Sequence, residues 1–299
     1  LKYNKNWGYK DGKPFNLNKN NYFKPYFTLQ HIYHKDRLTM NNSVYLALGN
    51  GGGRWSETKG NMISSYRTQD GLVDWDSAIA ANEASADGSA QNILAEYMAG
   101  HTQAGAVISG TYSFNEHWKL DAGLHYQYYS TWENEKITDL LGGDYWYEDY
   151  ENKSLAGLAG RDPIKHVGDY VRINSGKVIH HGTLYAMANR SSEKLDIRFG
   201  LSGFGAAINR WDKYNYVDNI WSKTALGTGF GAKAGVLYKP VRGHSLYLNG
   251  GVYSRLPYSD TYFASGNNTI SKNVENEKNL LAELGYRFVY GRGGVEATL

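Results

Sequence analysis

The sequence of 299 residues contains no cysteine, only five prolines and no long apolar run. The lack of cysteine excludes disulfide scaffolds, thiol nucleophiles and Cys-ligated zinc or iron–sulfur centres. No stretch approaches the ~18 consecutive apolar residues that a membrane-spanning helix needs, which excludes a helical membrane protein. The 32 basic and 29 acidic residues give a formal charge of +3, which is too balanced for a dedicated nucleic-acid binder.

Glycine and aromatic residues are abundant instead, with 35 Gly, 26 Tyr and 8 Trp. Apolar and polar side chains alternate with a period of two, as in strands that are apolar on one face only. This pattern predicts about ten strands, most of roughly 10–13 residues, against the ~5–6 usual in soluble sheets. They lie near residues 22–34, 38–49, 102–114, 120–129, 181–190, 195–207, 228–239, 245–255 and 280–290, with another from 295.

Short and long connections alternate strictly between these strands. Tight turns fall at 35–37, 115–117, 191–194, 241–244 and 291–294, and polar excursions occupy 50–101, 131–179, 209–227 and 256–279. Outer-membrane barrels have this arrangement of short periplasmic turns and long extracellular loops. Soluble sandwiches, propellers and lectins also alternate, but seldom sustain long strands with the loops at one end. The sequence therefore predicts an all-β, transmembrane antiparallel barrel in the bacterial outer membrane.

Each face of the predicted wall then has an expected environment. The apolar face should contact lipid, because a lipid-facing Arg or Lys near mid-membrane costs ~2–4 kcal/mol. Aromatic residues near strand ends should form interfacial girdles, namely Tyr112, Trp118, Tyr128, Tyr129 and Tyr238. The ionisable residues of the opposite face should line the lumen or contact a plug: Asp121, His125, Asp196, Arg198, Lys233, Glu283 and Arg287.

Strand direction predicts that residues 1–299 are part of a larger barrel. The strand at 22–34 runs into a short turn, so it should descend from the outside, with residues 9–21 as the end of an outer loop. Leu299 lies in a strand that has just left its turn. Single-chain barrels usually start and end in the periplasm, so terminal strands are expected beyond this chain.

Seven segments resemble the TonB-dependent outer-membrane receptors, in the form common in Bacteroidota. These motifs describe strands and loop bases rather than chemistry. The segments are KPYFTLQH (24–31), LALGNGGG (46–53), TDLLGGDYWYEDYEN (138–152), HVGDYVRINSGKV (166–178), HGTLYAMANRSSEKLDIRFGLSGFGAAINRWDKYNY (181–216), GVYSRLPYSD (251–260) and NVENEKNLLAELGYRF (273–288).

The resemblance implies a barrel of about 22 strands closed by an N-terminal plug that is not in this chain. It implies import of a scarce nutrient (a siderophore, cobalamin, peptide or glycan) by rearrangement of that plug. The implied partners are outer-membrane lipid, the plug, the TonB complex and a surface lipoprotein. The alternative is a receptor-like barrel that serves as a structural subunit of an outer-membrane assembly or secretion complex.

Catalytic chemistry finds little support in the sequence. The acidic residues Asp144, Glu148, Asp149 and Glu151 suit a solvated loop, and no nucleophile, base and orienting partner share a suitable spacing. His180 and His181 suit an interfacial or lumen-facing strand end, with metal binding as the alternative. The glycine run 49–53 reads as a flexible loop base. We therefore predict neither an enzyme nor a cofactor.

Two further loop features concern binding. Residues 72–91 favour a short helix, in which Asp74, Asp76 and Glu83 lack the spacing of a known calcium loop. Aromatic residues beside charges suggest cargo contacts, since Tyr and Trp offer broad contact area and Arg can anchor an anion. The alternative is that these residues pack loop against loop or lie at the membrane interface. They are Arg54, Trp55, Tyr145, Trp146, Tyr147, Arg210, Trp211, Tyr214 and Tyr216.

Overall fold

A computed structural model describes residues 4–149 and 161–299, and one large antiparallel sheet accounts for most of them. Its strands are β3 (Lys19–Phe23), β4 (Tyr26–Lys35), β5 (Leu38–Thr58), β7 (Asn92–Ser113), β8 (Trp118–Asp139), β11 (Tyr170–Arg190), β12 (Leu195–Asp212), β13 (Ala225–Tyr238), β14 (His244–Arg255), β15 (Glu277–Tyr290) and β16 (Gly293–Thr298). In the described ranges, no helix combines the length and apolar content required to cross a bilayer.

The smaller elements lie in the connections. They are strands β1 (Trp7–Lys10), β2 (Lys13–Asn16), β6 (Val73–Asp74), β9 (Trp146–Tyr147) and β10 (Ile164–Lys165), helices α1 (Trp75–Glu83) and α2 (Ser259–Tyr262), and 3-10 turns at Ile63–Ser65 and Ala264–Gly266. Helix α1 confirms the helix expected within 72–91. The N-terminal residues form the β1–β2 hairpin, where the sequence predicted only a loop.

The order of strands in the sheet follows the chain from β3 and β4 at one edge to β16 at the other. β3 and β4 pair with β5 in one continuous register that passes through Lys24 and Pro25. Pro25 has no N–H to donate, but its carbonyl accepts from Leu48 at 3.0 Å. The two short strands are therefore one lane of the sheet, and ten lanes result, as the alternation predicted.

The register divides the side chains between two faces. The apolar face carries the row Ile108, Leu124, Leu184, Gly203 and Phe230. The polar face carries all seven ionisable residues predicted for the interior, from Asp121 to Arg287. Because side chains alternate along a strand, this common placement follows from the period-two pattern.

Several strands are about twice as long as the alternation indicated. β5, β7, β8 and β11 have 21 or 22 residues each. Their added residues lie at the loop end, where both faces contact loops or solvent, and apolar alternation therefore ceases. The glycine run 49–53 lies inside β5 and pairs with β3 and β7, so its assignment as a flexible loop base was wrong.

A row of large aromatic side chains crosses the apolar face just beyond the apolar rows. Its register runs through Phe23, Asn50, Gly100, Trp132, Gly176, Trp211 and Trp221. A Cβ on Gly100 would lie 2.5 Å from the Trp132 ring, and one on Gly176 would lie 2.6 Å from the Trp211 ring. Glycine is therefore required for the two indoles to lie flat on the neighbouring strands. We call this set the aromatic row.

The predicted girdle residues divide between the two faces. Tyr112, Trp118, Tyr128 and Tyr238 lie on the apolar face. Tyr129 lies on the polar face, where its ring centroid is 5.8 Å from that of His101, so its assignment to a girdle was wrong.

The loops fold against both faces of the strand extensions. One cluster joins Ile63, Val73 and Trp75 of the first long loop to Leu94, on the apolar-face side of β7. A second joins Trp146 and Val171 to Ile93 and Ile137 on the polar-face side. A third packs Tyr262 and Phe263 of the α2 region against Ile208. The loop end of the sheet is therefore a packed structure.

Candidate functional site

Four adjacent strands bring aromatic and charged side chains together at the loop end of the polar face. The indole Nε1 of Trp55 donates to Glu57 Oε1 at 2.7 Å and to Glu135 Oε1 at 3.1 Å. The Tyr97 ring stacks on Trp55 with centroids 5.6 Å apart, and its hydroxyl donates to Glu133 at 2.6 Å. We call these residues, with Arg172, the mouth cluster.

Arg172 supplies the positive charge of the mouth cluster. Its Nη1 donates to Glu57, and its Nε lies 3.8 Å from Glu135 Oε2. Its backbone has φ of +60°, in a stretch where the β8–β11 register shifts between Tyr170 and Asn174. A non-glycine residue in this left-handed region carries strain, which persists where the surroundings hold it. The bulge directs the guanidinium toward Glu135 of the adjacent strand β8 and toward Glu57 of β5, two strands further along the sheet.

Glu135 is the most deeply buried charged group of the mouth cluster, with 1% of its surface exposed. It lies three residues beyond Trp132 of the aromatic row, in the extension of β8 past the apolar rows. Burial, followed by repulsion from Glu57, raises the pKa of the Glu135 carboxyl, while Arg172 acts in the opposite direction. Glu135 therefore retains its proton at pH values where an ordinary carboxyl group has lost it.

A cavity of about 880 Å³ opens beside the mouth cluster. Beyond Trp55, Tyr97, Glu57, Glu135 and Arg172, its lining includes Lys59, Trp146, Glu148, Asp149 and Tyr214. Tyr214 donates to Glu148 at 2.8 Å, and Lys59 forms an ion pair with Asp149 at 2.5 Å. A second cavity of about 590 Å³ also touches Arg172, and it includes Glu133, Lys177 and Arg210.

The structure gathers only part of the predicted cargo set. Trp55, Trp146 and Tyr214 line the larger cavity, and Arg210 lines the smaller one. Arg54, Tyr145, Tyr147, Trp211 and Tyr216 line neither. Arg54, Trp55, Arg210 and Trp211 lie in β5 and β12, where the sequence predicted loops. This placement is a correction, and it follows from the unexpected strand length.

Two adjacent residues in a strand point to opposite faces of the sheet, so they cannot contact the same ligand in the lumen. Trp55 lies on the polar face, whereas Arg54 lies on the apolar face and donates to the Asn16 carbonyl at 2.6 Å. Arg210 and Trp211 divide in the same way. Arg210 is buried against Asp212 at 2.9 Å, and Trp211 belongs to the aromatic row.

Tyr145, Tyr147 and Tyr216 take packing roles in the loops. The Tyr145 carbonyl accepts from Ala90 at 2.7 Å. The Tyr147 ring lies 5.1 Å from Lys59 Nζ, and the Tyr216 hydroxyl accepts from the Asn268 amide at 3.0 Å. The contacts of Tyr147 and Tyr216 each join one loop segment to another.

Four of the seven ionisable residues predicted for the polar face have hydrogen-bond or ion-pair partners nearer the turn end. Asp121 accepts from Thr111 at 2.5 Å and from Asn189 at 2.6 Å, and His125 bonds to the Tyr45 hydroxyl at 2.9 Å. Asp196 pairs with Lys239 at 2.9 Å, and Glu283 accepts from Asn249 at 2.8 Å. Arg198, Lys233 and Arg287 line smaller depressions in the wall.

The acidic loop cluster is less solvated than predicted. Glu148 is buried under Tyr214, because its backbone joins the small β9–β10 region; Asp149 is held by Lys59, and Glu151 lies outside the described residues. Asp74 caps α1 by accepting from Ser77 at 3.0 Å. Within residues 4–149 and 161–299, no three His, Asp or Glu side chains are placed to hold a metal ion.

The two adjacent histidines separate onto opposite faces of β11. His180 bonds to the Tyr126 hydroxyl at 2.8 Å on the apolar face. The His181 ring lies 6.4 Å from that of His125 on the polar face. Because side chains alternate along a strand, the two imidazoles point to different sides and do not form one metal site.

Sequence reasoning missed Glu57, Lys59, Glu135 and Arg172, which supply most of the charge in the larger cavity. Period-two spacing carried through 129–137 would have placed Glu133 and Glu135 on the same face as His125. No such signal was available for Arg172, because the bulge before Asn174 interrupts the alternation.

Solved structures that share this fold include two transporters and a siderophore receptor. The copper transporter OprC matches 92% of the chain with a TM-score of 0.59 and 10% identity. The ferric citrate transporter FecA, in its unliganded form, matches 89% with a TM-score of 0.54 and 13% identity. The siderophore receptor PiuA from Acinetobacter baumannii matches 98% with a TM-score of 0.50 and 13% identity. No protein-family model and no curated protein matches the sequence.

The chain has the fold of a TonB-dependent receptor barrel. This confirms the predicted all-β barrel segment, with short turns at one end and long loops at the other, and it supports the predicted outer-membrane location. The chain spans 38%, 32% and 41% of the lengths of the three matched chains. The neighbours that share the receptor-barrel fold are transporters and receptors rather than enzymes.

Proposed function

We propose that the chain is part of the barrel wall of a TonB-dependent outer-membrane receptor that imports a scarce nutrient. The observation that carries this proposal is the mouth cluster, an aromatic and charged cavity at the loop end of a sheet with the receptor-barrel fold. Ligand sites in proteins are concave and combine apolar walls with a few convergent polar groups, as this cavity does. The Bacteroidota form rests on the sequence motifs alone.

In this proposal the apolar face contacts lipid and the polar face lines the lumen. Cargo binds from outside between the loops and a plug supplied by another part of the protein. Trp55 and Tyr97 provide flat contact area, while Arg172 and the surrounding carboxyl groups orient polar parts of the cargo. Energy relayed through TonB then rearranges the plug, and a surface lipoprotein is a further candidate partner.

The test uses the full-length protein in cells with and without TonB. Uptake of labelled cupric ion, ferric citrate and a ferric siderophore is measured, because the neighbours with this fold carry these names. We expect uptake of one probe that depends on TonB and that falls about tenfold in Trp55→Leu or Arg172→Gln, given the ~1–3 kcal/mol weight of such contacts.

Trp221→Leu is the matched control, since it removes an exposed indole from the apolar face. Uptake that persists without TonB, or that both mouth variants leave unchanged, would contradict the proposal. Unchanged uptake together with loss of an envelope complex would favour the structural alternative.

A further inference from the structure

The larger cavity beside the mouth cluster is lined by more carboxyl groups than cations. Among the residues that the structure describes, the carboxyl groups belong to Glu57, Glu135, Glu148 and Asp149, and the cations to Lys59 and Arg172. Both cations already lie against carboxyl groups, because Lys59 pairs with Asp149 and Arg172 pairs with Glu57. A cavity of this composition attracts a cationic group and disfavours an anionic one.

Aromatic faces accompany the charged groups of this cavity. The Lys59 ammonium group lies 5.1 Å from the Trp146 ring centroid, so it combines an aromatic face with a carboxylate. A cation within ~6 Å of an aromatic centroid is attracted to the ring, most strongly to that of Trp. Trp55 offers a second indole beside the two carboxyl groups that hold Arg172. The cavity therefore has two places for a cation, and each is filled by a side chain of the protein itself.

Arg172 is the exposed member of its ion pairs. Its side chain is 55% exposed, against 19% for Glu57 and 1% for Glu135. The Trp55 indole donates to both carboxyl groups, so the guanidinium is not their only partner. An ion pair with an exposed member contributes little to stability, because water competes for the charge. A cation from solution can therefore replace the guanidinium while the carboxyl groups keep their places.

The smaller cavity offers the displaced guanidinium another carboxyl group. Arg172 lines both cavities, and Glu133 lines the smaller one. Glu133 lies on the same face of β8 as Glu135, two residues or about 7 Å nearer the turn end. A movement of Arg172 from Glu57 toward Glu133 therefore exchanges one ion pair for another.

We propose that Arg172 holds the place of a cationic group of the imported solute. A guanidinium or primary ammonium group on that solute displaces Arg172 from Glu57 and Glu135, and a flat part of the solute beside this group lies against Trp55. Arg172 returns to the carboxyl groups as the solute moves inward, so the loss of Arg172 tightens binding but slows transport. This proposal rests on the proposed function, which assigns the cavity to cargo, and it adds the chemical class of that cargo.

The experiment measures the binding of two labelled peptides to the full-length protein in detergent, by fluorescence anisotropy at about 150 mM salt and without TonB. One peptide contains two arginines; in the other, citrulline replaces each arginine and removes its charge. The wild type should bind the arginine peptide at least about tenfold more tightly. Arg172→Gln should bind it at least about threefold more tightly than the wild type, because the internal competitor is gone. This gain should disappear in Arg172→Gln/Glu57→Gln.

Lys136→Gln is the matched control. It removes the same charge beside Glu135 but on the apolar face, where Lys136 is exposed, and it should change the affinity by less than about twofold. An equal gain in Lys136→Gln would overturn the proposal, because net charge would then explain the effect. Equal affinity of the wild type for the two peptides would also overturn it. Unchanged or weaker binding in Arg172→Gln would show that Arg172 does not compete with the peptide.

A second measurement serves if Arg172→Gln does not fold. Hydrogen exchange of the wild type is then compared with and without a saturating amount of the arginine peptide. Exchange at 170–174 should accelerate when Arg172 loses its partners, and unchanged exchange in this segment would overturn the proposal. Because binding is measured without TonB, this proposal and TonB-dependent uptake can fail separately.

Discussion

The indole of Trp55 on β5 donates a hydrogen bond of 3.1 Å to the carboxyl group of Glu135 on β8, across the intervening strand β7. The two residues are 80 positions apart. Because Glu57 accepts from the same N–H, the indole holds two carboxyl groups close together, and Arg172 lies against both.

The first prediction concerns the energetic coupling of Arg172 and Glu135. Arg172→Gln should destabilise the loop end, because it leaves a buried carboxyl group without its cation. When Glu135→Gln is already present, Arg172→Gln should cost less stability. We expect a coupling energy between the two residues of about 1 kcal/mol, a small value because the guanidinium is partly exposed to solvent. A double-mutant cycle on urea unfolding of the refolded full-length protein measures this energy. Additive effects of the two substitutions would show that the residues do not interact.

The second prediction is a pH dependence. The raised pKa of Glu135 means that the folded protein holds a proton which the unfolded chain releases near the ordinary value of 4.5. The stability that this proton gives the folded protein is therefore complete below the pKa of the unfolded chain, and it is lost as pH rises through the higher pKa of the folded protein. Loop-end amides at 133–139 should exchange hydrogen more slowly at pH 5 than at pH 8, after correction for intrinsic exchange rates.

Glu135→Gln is the control for this pH dependence and should remove it. The other titratable groups that interact with Glu135 are Glu57, Arg172 and Tyr97, and Tyr97 and Arg172 interact in turn with Glu133 and Glu148. Hydrogen bonds from Ser89 lower the pKa of Asp87 to about 2, so Asp87 is ionised over the whole pH range and does not contribute to the pH dependence. A pH dependence that survives Glu135→Gln would assign the proton to another group.

The third prediction tests the aromatic row through its glycines. A Cβ on Gly176 would lie 2.1 Å from the Thr131 carbonyl oxygen and 2.6 Å from the Trp211 ring. Gly176→Ala should therefore destabilise the barrel by ~1–3 kcal/mol, the usual cost of overpacking. Gly182→Ala is matched in strand and face but meets nothing within 4 Å, so its effect should stay within ~0.5 kcal/mol. The midpoints of urea unfolding of the two refolded variants measure this difference. Equal midpoints for Gly176→Ala and Gly182→Ala would contradict the prediction.

The fourth prediction concerns the loop that covers the larger cavity. Tyr214→Phe removes the hydroxyl that donates to the buried Glu148 at 2.8 Å, which should cost ~1–3 kcal/mol locally. Hydrogen exchange should accelerate in residues 145–149. Tyr147→Phe keeps the ring beside Lys59 and should leave exchange in this segment unchanged. Identical protection in Tyr214→Phe and the wild type would mean that other contacts hold Glu148.

The sequence could predict the wall but not the mouth. The polarity of a residue in the wall predicts the face on which it lies, because charged residues are costly on the lipid side of a strand. Leu120 and Leu124 are thereby assigned to the apolar face and Asp121 to the polar face. Beyond Trp132 that penalty ends, and the pattern no longer distinguishes a strand from a loop. The contact of Trp55 with Glu135 depends on the register of three strands, which periodicity does not specify. The bulge at Arg172 and the burial of Glu148 under Tyr214 are tertiary outcomes of the same kind.

The length of β8 has a consequence for access. Asp139 ends the strand seven residues beyond Trp132, a rise of about 23 Å along the strand and about 18 Å above the aromatic row at a ~40° tilt. The wall therefore continues outward as a rigid collar of hydrogen-bonded backbone. A solute that enters through this collar meets the mouth cluster before it reaches the level of the aromatic row, and the collar separates it from the surroundings of the barrel.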